Sequence, residues 1–197
     1  MKKLKKAMES RQSTFSLGAV SSNDVLKVMK ALKNSKATGT DNIDTYVIKL
    51  VAQDLVSPLT HIINLSITKS VFPALWKHAK VVPLLKKGDP LTAKNYRPVA
   101  LLPIFSKILE RVVFNQLVNY LDTNNLIHPN HHGSRSGHST ATALIQMYGT
   151  WVEEVDNDNM VGVMMVDLSA AFDMVDHDLL LQKLEHLGWL YHGWRAT

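Results

Sequence analysis

Phe105, Ile108, Leu109, Val112, Val113, Leu117, Tyr120 and Leu121 recur at intervals of three and four, and this stripe constrains the chain more than any other feature. The spacing predicts one helix from about Ile104 to Asn124, with an apolar face that must be covered. Other helices can cover it. Ser21-Ser22-Asn23-Asp24 is an N-cap cluster ahead of Val25, Val28, Met29 and Leu32. Leu55, Leu59, Ile62, Ile63 and Ile67 carry a helical period through the stretch from about Asp44 to Ser70, where Pro58 is expected to start a second helix. Ser139 caps a helix running to about Val155, and a last helix spans about His177–Leu187 with Gly188 as its C-cap.

Strand signals are fewer. Val81-Val82-Pro83-Leu84-Leu85 is a strand-like core closed by the turn Lys87-Gly88-Asp89-Pro90. Val161-Gly162-Val163-Met164-Met165-Val166 is a continuous apolar run, the pattern of a strand buried on both faces. Ala37-Thr38-Gly39-Thr40-Asp41-Asn42 reads as a turn, and His128–His138 as a loop or short hairpin. Helices and strands do not alternate regularly, so the expected class is α+β and helix-rich.

Composition narrows the chemistry. With 46% hydrophobic and 20% charged residues, the 197-residue chain can bury a core. The absence of cysteine excludes disulfides and thiolate metal sites. No apolar run approaches the ~20 residues that span a bilayer. Met1-Lys2-Lys3-Leu4-Lys5-Lys6 is followed by no secretory apolar stretch, so an intracellular location, cytoplasmic or nuclear, is expected. Residues 1–20 read as a loose, basic leader. Net charge is +5, and Lys77, Lys80, Lys86, Lys87, Lys94 and Arg97 cluster against a single acid, Asp89. Such a run is commonly a solvated face. Displayed on a strand and a turn, it also suits a polyphosphate chain.

The apolar run ends in Asp167. A carboxylate at a strand end can hold a hard divalent cation. It can equally cap a short helix beginning at Leu168 or Ser169, and both readings are open. Asp173 orders a turn on the simplest reading, and Asp176 with His177 caps the last helix. His131, His132 and His138 lack the regular spacing of a zinc site.

In series, three segments resemble the reverse transcriptases of non-LTR (LINE-type) retrotransposons. VDLSAAFDMVDHDLLLQKLEHLG is similar to their first palm motif. WKHAKVVPLLKKGDPLTAKNYRPVALLPIFSKILERVV is similar to their fingers region, and ATGTDNIDTYVIKL to the motif that opens the domain. The Phe-Asp-x-Val-Asp-His segment favours this type over an intron-encoded maturase. The resemblance covers roughly residues 21–190 and implies right-hand polymerase fingers over 21–158 and an incomplete palm over 159–197.

It further implies that Asp167 ligates catalytic Mg²⁺, with the Leu168 carbonyl as a further ligand. Phe172 would crowd the sugar 2′-position of the nucleotide, although on its own it reads as a core aromatic. Arg97 and Arg135 would face the incoming nucleotide, where a guanidinium fork suits phosphate oxygens. The alternative for Arg135 is a surface ion pair. Lys80, Lys86 and Lys87 would touch template or triphosphate. Partners would be an RNA template, a DNA primer and deoxynucleoside triphosphates.

Two departures stand out. Where the family carries aromatic rings in the fingers loop, this chain has His132 and Ser134, so Arg135 is expected to be less firmly aimed. The family's later pair of adjacent carboxylates does not occur within the 197 residues. Two-metal chemistry needs several carboxylates to hold cations ~3.5–4 Å apart. The chain alone is therefore expected to lack polymerase activity; the alternative is a non-catalytic nucleic-acid-binding relic or a structural fragment. Apolar surface left uncovered in the palm is expected to make it poorly soluble.

Overall fold

The computed structural model describes residues 14–168 and 171–189. Residues 1–13, most of the expected basic leader, lie outside them, as do Ser169 and Ala170. The chain divides into two compact units, Thr14–Tyr120 with Trp189, and Leu121–Gly188.

The first unit holds the hydrophobic core. Helix α1, Ser22–Ala31, starts at a reciprocal cap: the Ser21 hydroxyl accepts from the Asp24 N–H, and the Asp24 carboxylate accepts from the Ser21 N–H. Its Val25, Val28 and Met29 are buried as their spacing predicts. Helix α2, Thr45–Leu50, and helix α3, Ala52–Lys69, follow. The break between them falls at Val51 and not at Pro58, which lies inside α3. Pro58 removes the N–H that would have met the Asp54 carbonyl. Both residues are exposed, so water can take that carbonyl and the helix survives. Leu59, Ile63 and Ile67 of α3 pack with Ile48 of α2 and with Ile104, Ile108, Leu109 and Val112 of helix α4, Ile104–Thr123. The stripe that opened the sequence analysis is thus the floor of this core at its N-terminal half.

Residues 14–20, read from the sequence as part of a loose leader, are tied to the helices. Phe15 is buried and stacks on Tyr120 with ring centroids 4.9 Å apart. Gly18 exchanges two 2.9 Å hydrogen bonds with the Gln116 amide, and Val20 exchanges two with Asn64.

The 37–42 turn is docked as well. Gly39 lies so close to the backbone of Leu102 and Pro103 that a Cβ would sit 2.5 Å from it. Asp41 then reaches 63 residues along the sequence: one carboxylate oxygen accepts from the Ile104 N–H at 2.8 Å and the other from Ile43. A carboxylate on an orphan N–H at a helix start both bonds it and complements the helix dipole. Asp41→Ala should therefore lower stability by about 1–2 kcal/mol in urea unfolding, a loss that Asp41→Asn should partly restore.

Between α3 and α4 the chain forms an antiparallel hairpin, β1 Lys80–Leu85 with β2 Tyr96–Leu101. Sequence reading found the first strand but not its pairing. Pro83 faces Pro98 across the ladder. Neither ring can donate, so this must be a pair without cross-strand bonds, and alternation makes its neighbours the bonded pairs. The 2.7 Å bond from the Lys86 N–H to the Asn95 carbonyl, three steps along, fits that phase.

The second unit contains helix α5, Thr140–Asp156, capped by Ser139, and helix α6, His177–His186, capped by Asp176. Both caps were expected, and Gly188 follows α6 at φ 93°, the left-handed turn that favours glycine. The run Val161–Val166 departs from expectation. It carries no strand, and Met164 is 88% exposed. A strand exists only as one side of a ladder, and the described residues contain no ladder beside this segment. With helices and a two-stranded sheet the architecture is mixed, compatible with α+β. Among the described residues, no helix is long and apolar enough to cross a membrane.

Candidate functional site

The hairpin fixes four of the sequence-predicted residues. Directly opposed residues share a face, so Lys80, Val82 and Leu84 lie with Leu101, Val99 and Arg97 on one side. Val82, Val99 and Leu101 are half-buried there, while Lys80 and Arg97 stay exposed. Four steps of the ladder separate the two cations, roughly 13 Å at the usual strand rise.

Lys86 and Lys87 lead into a turn that is bonded throughout. Asp89 accepts from the Leu91 N–H through its side chain and from Asn95 Nδ2 through its carbonyl, at 2.9 and 2.8 Å. Tyr96 donates its hydroxyl to the Pro90 carbonyl at 2.9 Å. Gly88 takes φ 84°, and a Cβ there would meet the Asn95 amide at 2.9 Å. The one acid of this segment is thus engaged in shaping the turn, and the lysines are displayed on a rigid frame.

Arg135 sits in the 128–138 loop of the second unit, which has positive φ at Ser134 and Gly137. His132 holds the loop to α5: its Nδ1 lies 3.0 Å from Thr142 Oγ1 and its Nε2 2.7 Å from Gln146 Oε1. The His138 ring meets the His132 ring edge-on at 5.1 Å. Polar clamping thus supports the loop in which aromatic rings were expected to be missed. Arg135 Nη2 lies 3.6 Å from Asp122 Oδ1, both groups partly solvated. An exposed pair of this kind contributes about 0–1 kcal/mol, so it leaves the guanidinium able to exchange Asp122 for a phosphate.

Asp167 and Leu168 lie in the exposed irregular segment, and Phe172 in the turn that follows, 92% exposed. Phe172 is no core aromatic within this chain. Arg135, Asp167, Leu168 and Phe172 belong to the second unit, and Lys80, Lys86, Lys87 and Arg97 to the first.

Sequence reading also missed Glu110, one turn beyond buried Ser106 on α4. The Ser106 hydroxyl donates to its carboxylate at 3.0 Å. Partial removal of water raises the Glu110 pKa above the ordinary 4.5, against the lowering by Ser106 and Lys107. A raised folded-state pKa favours the protonated fold, so this contribution is complete below about pH 4.5 and is lost as pH rises through the folded value. Glu110→Gln should melt higher than the parent at pH 7, with the gain vanishing below about pH 4.5.

The family model described as "Reverse transcriptase (RNA-dependent DNA polymerase)" matches residues 84–195, more than half of the chain. The chain belongs to the reverse transcriptase family. Its type is that of the non-LTR retrotransposons. It is 31% identical to the RNA-directed DNA polymerase from mobile element jockey of Drosophila melanogaster, over 89% of this chain and 19% of that protein. It is 29% identical to the probable RNA-directed DNA polymerase from transposon BS of the same species, over 89% of this chain and 20% of the relative. With the putative 115 kDa protein of the type-1 retrotransposable element R1DM the identity is 30%, over 80% and 15%. This reverse transcriptase segment spans about a fifth of the length of the first two relatives.

Reverse transcriptases generally depend on a divalent metal ion. The donor types here suit one: a carboxylate and a main-chain carbonyl are hard oxygen ligands. Their number does not. Among the described residues no group of three or more His, Cys, Asp or Glu is placed to hold a metal ion. Asp167 belongs to no such group.

Proposed function

We propose that the chain is the fingers region, residues 21–158, and the beginning of the palm, residues 159–197, of a retrotransposon reverse transcriptase. The longer protein would copy an RNA template from a DNA primer inside the cell, using deoxynucleoside triphosphates. The observation that carries this reading is the family match running from the basic hairpin through Asp167 and Phe172. In the reaction the primer 3′-hydroxyl gives up its proton to water, its oxygen bonds to the α-phosphorus, and pyrophosphate leaves with the bridging oxygen. Mg²⁺, when bound, would supply charge neutralisation at the phosphates. On the side of this chain, Asp167 and the Leu168 carbonyl would hold the metal, and Phe172 crowds the sugar 2′-position, so that deoxynucleotides are favoured. Arg97 and Arg135 offer forked donors to the triphosphate. Lys80, Lys86 and Lys87 hold template or triphosphate by charge.

A second reading is a nucleic-acid-binding fragment without catalysis, favoured by the lack of any group of three or more metal-ligating side chains among the described residues. Both are tested by grafting this chain into the jockey polymerase in place of its matching stretch and measuring deoxynucleotide incorporation on primed RNA. Activity that depends on Asp167 supports the first reading; binding without incorporation supports the second.

A further inference from the structure

An open groove of about 910 Å³ lies between α1 and α4 in the first unit, within the ~300–1,000 Å³ range of ligand sites. The family reading does not use it. Its buried base is Val28 and Val112, and its walls carry Lys27, Lys33 and Arg111. Asn115 and Asn119 follow Arg111 at four-residue intervals, so the three side chains share one face of α4. Among the described residues, the only acid lining it is Asp24. That carboxylate accepts from the Ser21 hydroxyl at 2.6 Å, a bond that holds its pKa below the ordinary value, so it stays anionic and offsets part of the charge of Lys27 beside it. Gln116 also lines the groove, with both ends of its amide spent on Gly18. The lining thus presents three cations against one carboxylate, with two carboxamides beside them, a set rich in donors and net positive.

Arg111 adds a stacking surface. Its guanidinium carbon lies 5.1 Å from the ring centre of Phe114, which stands next to the groove lining in the sequence but outside it and is 45% exposed. Cations along a track beside a flat aromatic and guanidinium platform are the recurring equipment for single-stranded nucleic acid. A cation at each wall can take phosphate oxygens, and the carboxamides can take ribose hydroxyls without regard to sequence. The chain's own basic leader is a poor occupant, because Lys2, Lys3, Lys5, Lys6 and Arg11 stand there against Glu9 alone.

We propose that the α1–α4 groove is a second binding site for single-stranded RNA, separate from the basic hairpin. The choice of RNA over an acidic protein rests on the reverse transcriptase reading; the donor set itself calls only for a polyanion. The test uses the full chain and a fluorescent oligouridylate. Lys27→Glu with Lys33→Glu should weaken binding at least tenfold at moderate salt. It should also reduce the slope of log affinity against log salt by roughly 1.4, about 0.7 for each lost phosphate contact. Lys30→Glu with Lys36→Glu makes the same charge change outside the groove lining and should cost less than threefold. In the unmutated chain, 4-thiouridine in the RNA should cross-link within residues 27–33 and 111–119, a readout that does not depend on how the variants fold. Equal losses in the two double variants, or cross-links confined to residues 80–97, would overturn the groove. So would binding of polyglutamate without oligouridylate, which would assign it to an acidic protein. Incorporation by the graft reads the polymerase assignment separately, so either can fail alone.

Discussion

Gly39→Ala should destabilise the first unit by about 3 kcal/mol or more, at or above the upper end of the usual cost of overpacking. The added methyl would stand 2.5 Å from the Leu102 carbonyl carbon and the Pro103 nitrogen, and 2.6 Å from the Leu102 carbonyl oxygen. These are backbone atoms at the start of α4, and no rotamer change can move them away. Relief requires the 37–42 turn to lift, which breaks the Asp41 bonds to Ile104 and Ile43. A domain of this size loses roughly 4–8 °C of Tm per kcal/mol, so a fall of more than about 10 °C is expected in a thermal melt. Gly149→Ala offers the opposite sign. That glycine is inside α5 with nothing within 4 Å of an added Cβ, and alanine there should gain up to about 1 kcal/mol through helix propensity. A Gly39→Ala chain that melts with the parent would show that the turn is not docked as described.

Asp167→Asn should abolish incorporation by the jockey graft, with a fall on the order of 10³-fold. Asparagine keeps the size and one oxygen of the side chain but removes its charge. Charge stabilisation by bound metal is worth several kcal/mol in such transfers, and each 1.36 kcal/mol is a factor of ten. The isolated chain should incorporate nothing measurable on primed RNA, because no group of three or more metal-ligating side chains is assembled among the described residues. Incorporation by the Asn variant at the parent rate would remove Asp167 from the chemistry. Incorporation by the isolated chain would show that its metal ligands are found elsewhere than at the proposed site.

Local physics explains which parts of this protein were legible. The caps at Ser21, Ser139 and Asp176 and the stripe along α4 depend on residues three or four apart, and each was read from the sequence. The break at Val51 was misplaced because proline was weighed by its lost N–H, without the exposure that lets water replace it. The partner of β1, the docking of Gly39 and the reach of Asp41 to Ile104 are long-range facts, decided by packing that no local pattern encodes. At the candidate site the family motifs named Asp167 and Phe172. Periodicity named a buried strand before Asp167, and that failed where the pattern presumed a neighbour. The α1–α4 groove draws on residues about 90 apart, so only the fold brings its cations together.

The facing prolines of the hairpin have a consequence for how copies of this chain can meet. Residues of a pair without cross-strand bonds turn their backbone groups outward. Pro83 therefore interrupts the free N–H row on one side of the ribbon and Pro98 interrupts it on the other. A third strand laid along either margin would find a missing donor at its centre, so the ribbon resists growth into a larger sheet. Residues 161–168 contain no proline and carry exposed Val163, Met165 and Val166. Recruitment of a foreign strand, and self-association at high concentration, are thereby directed to the segment that carries Asp167 and away from the basic hairpin.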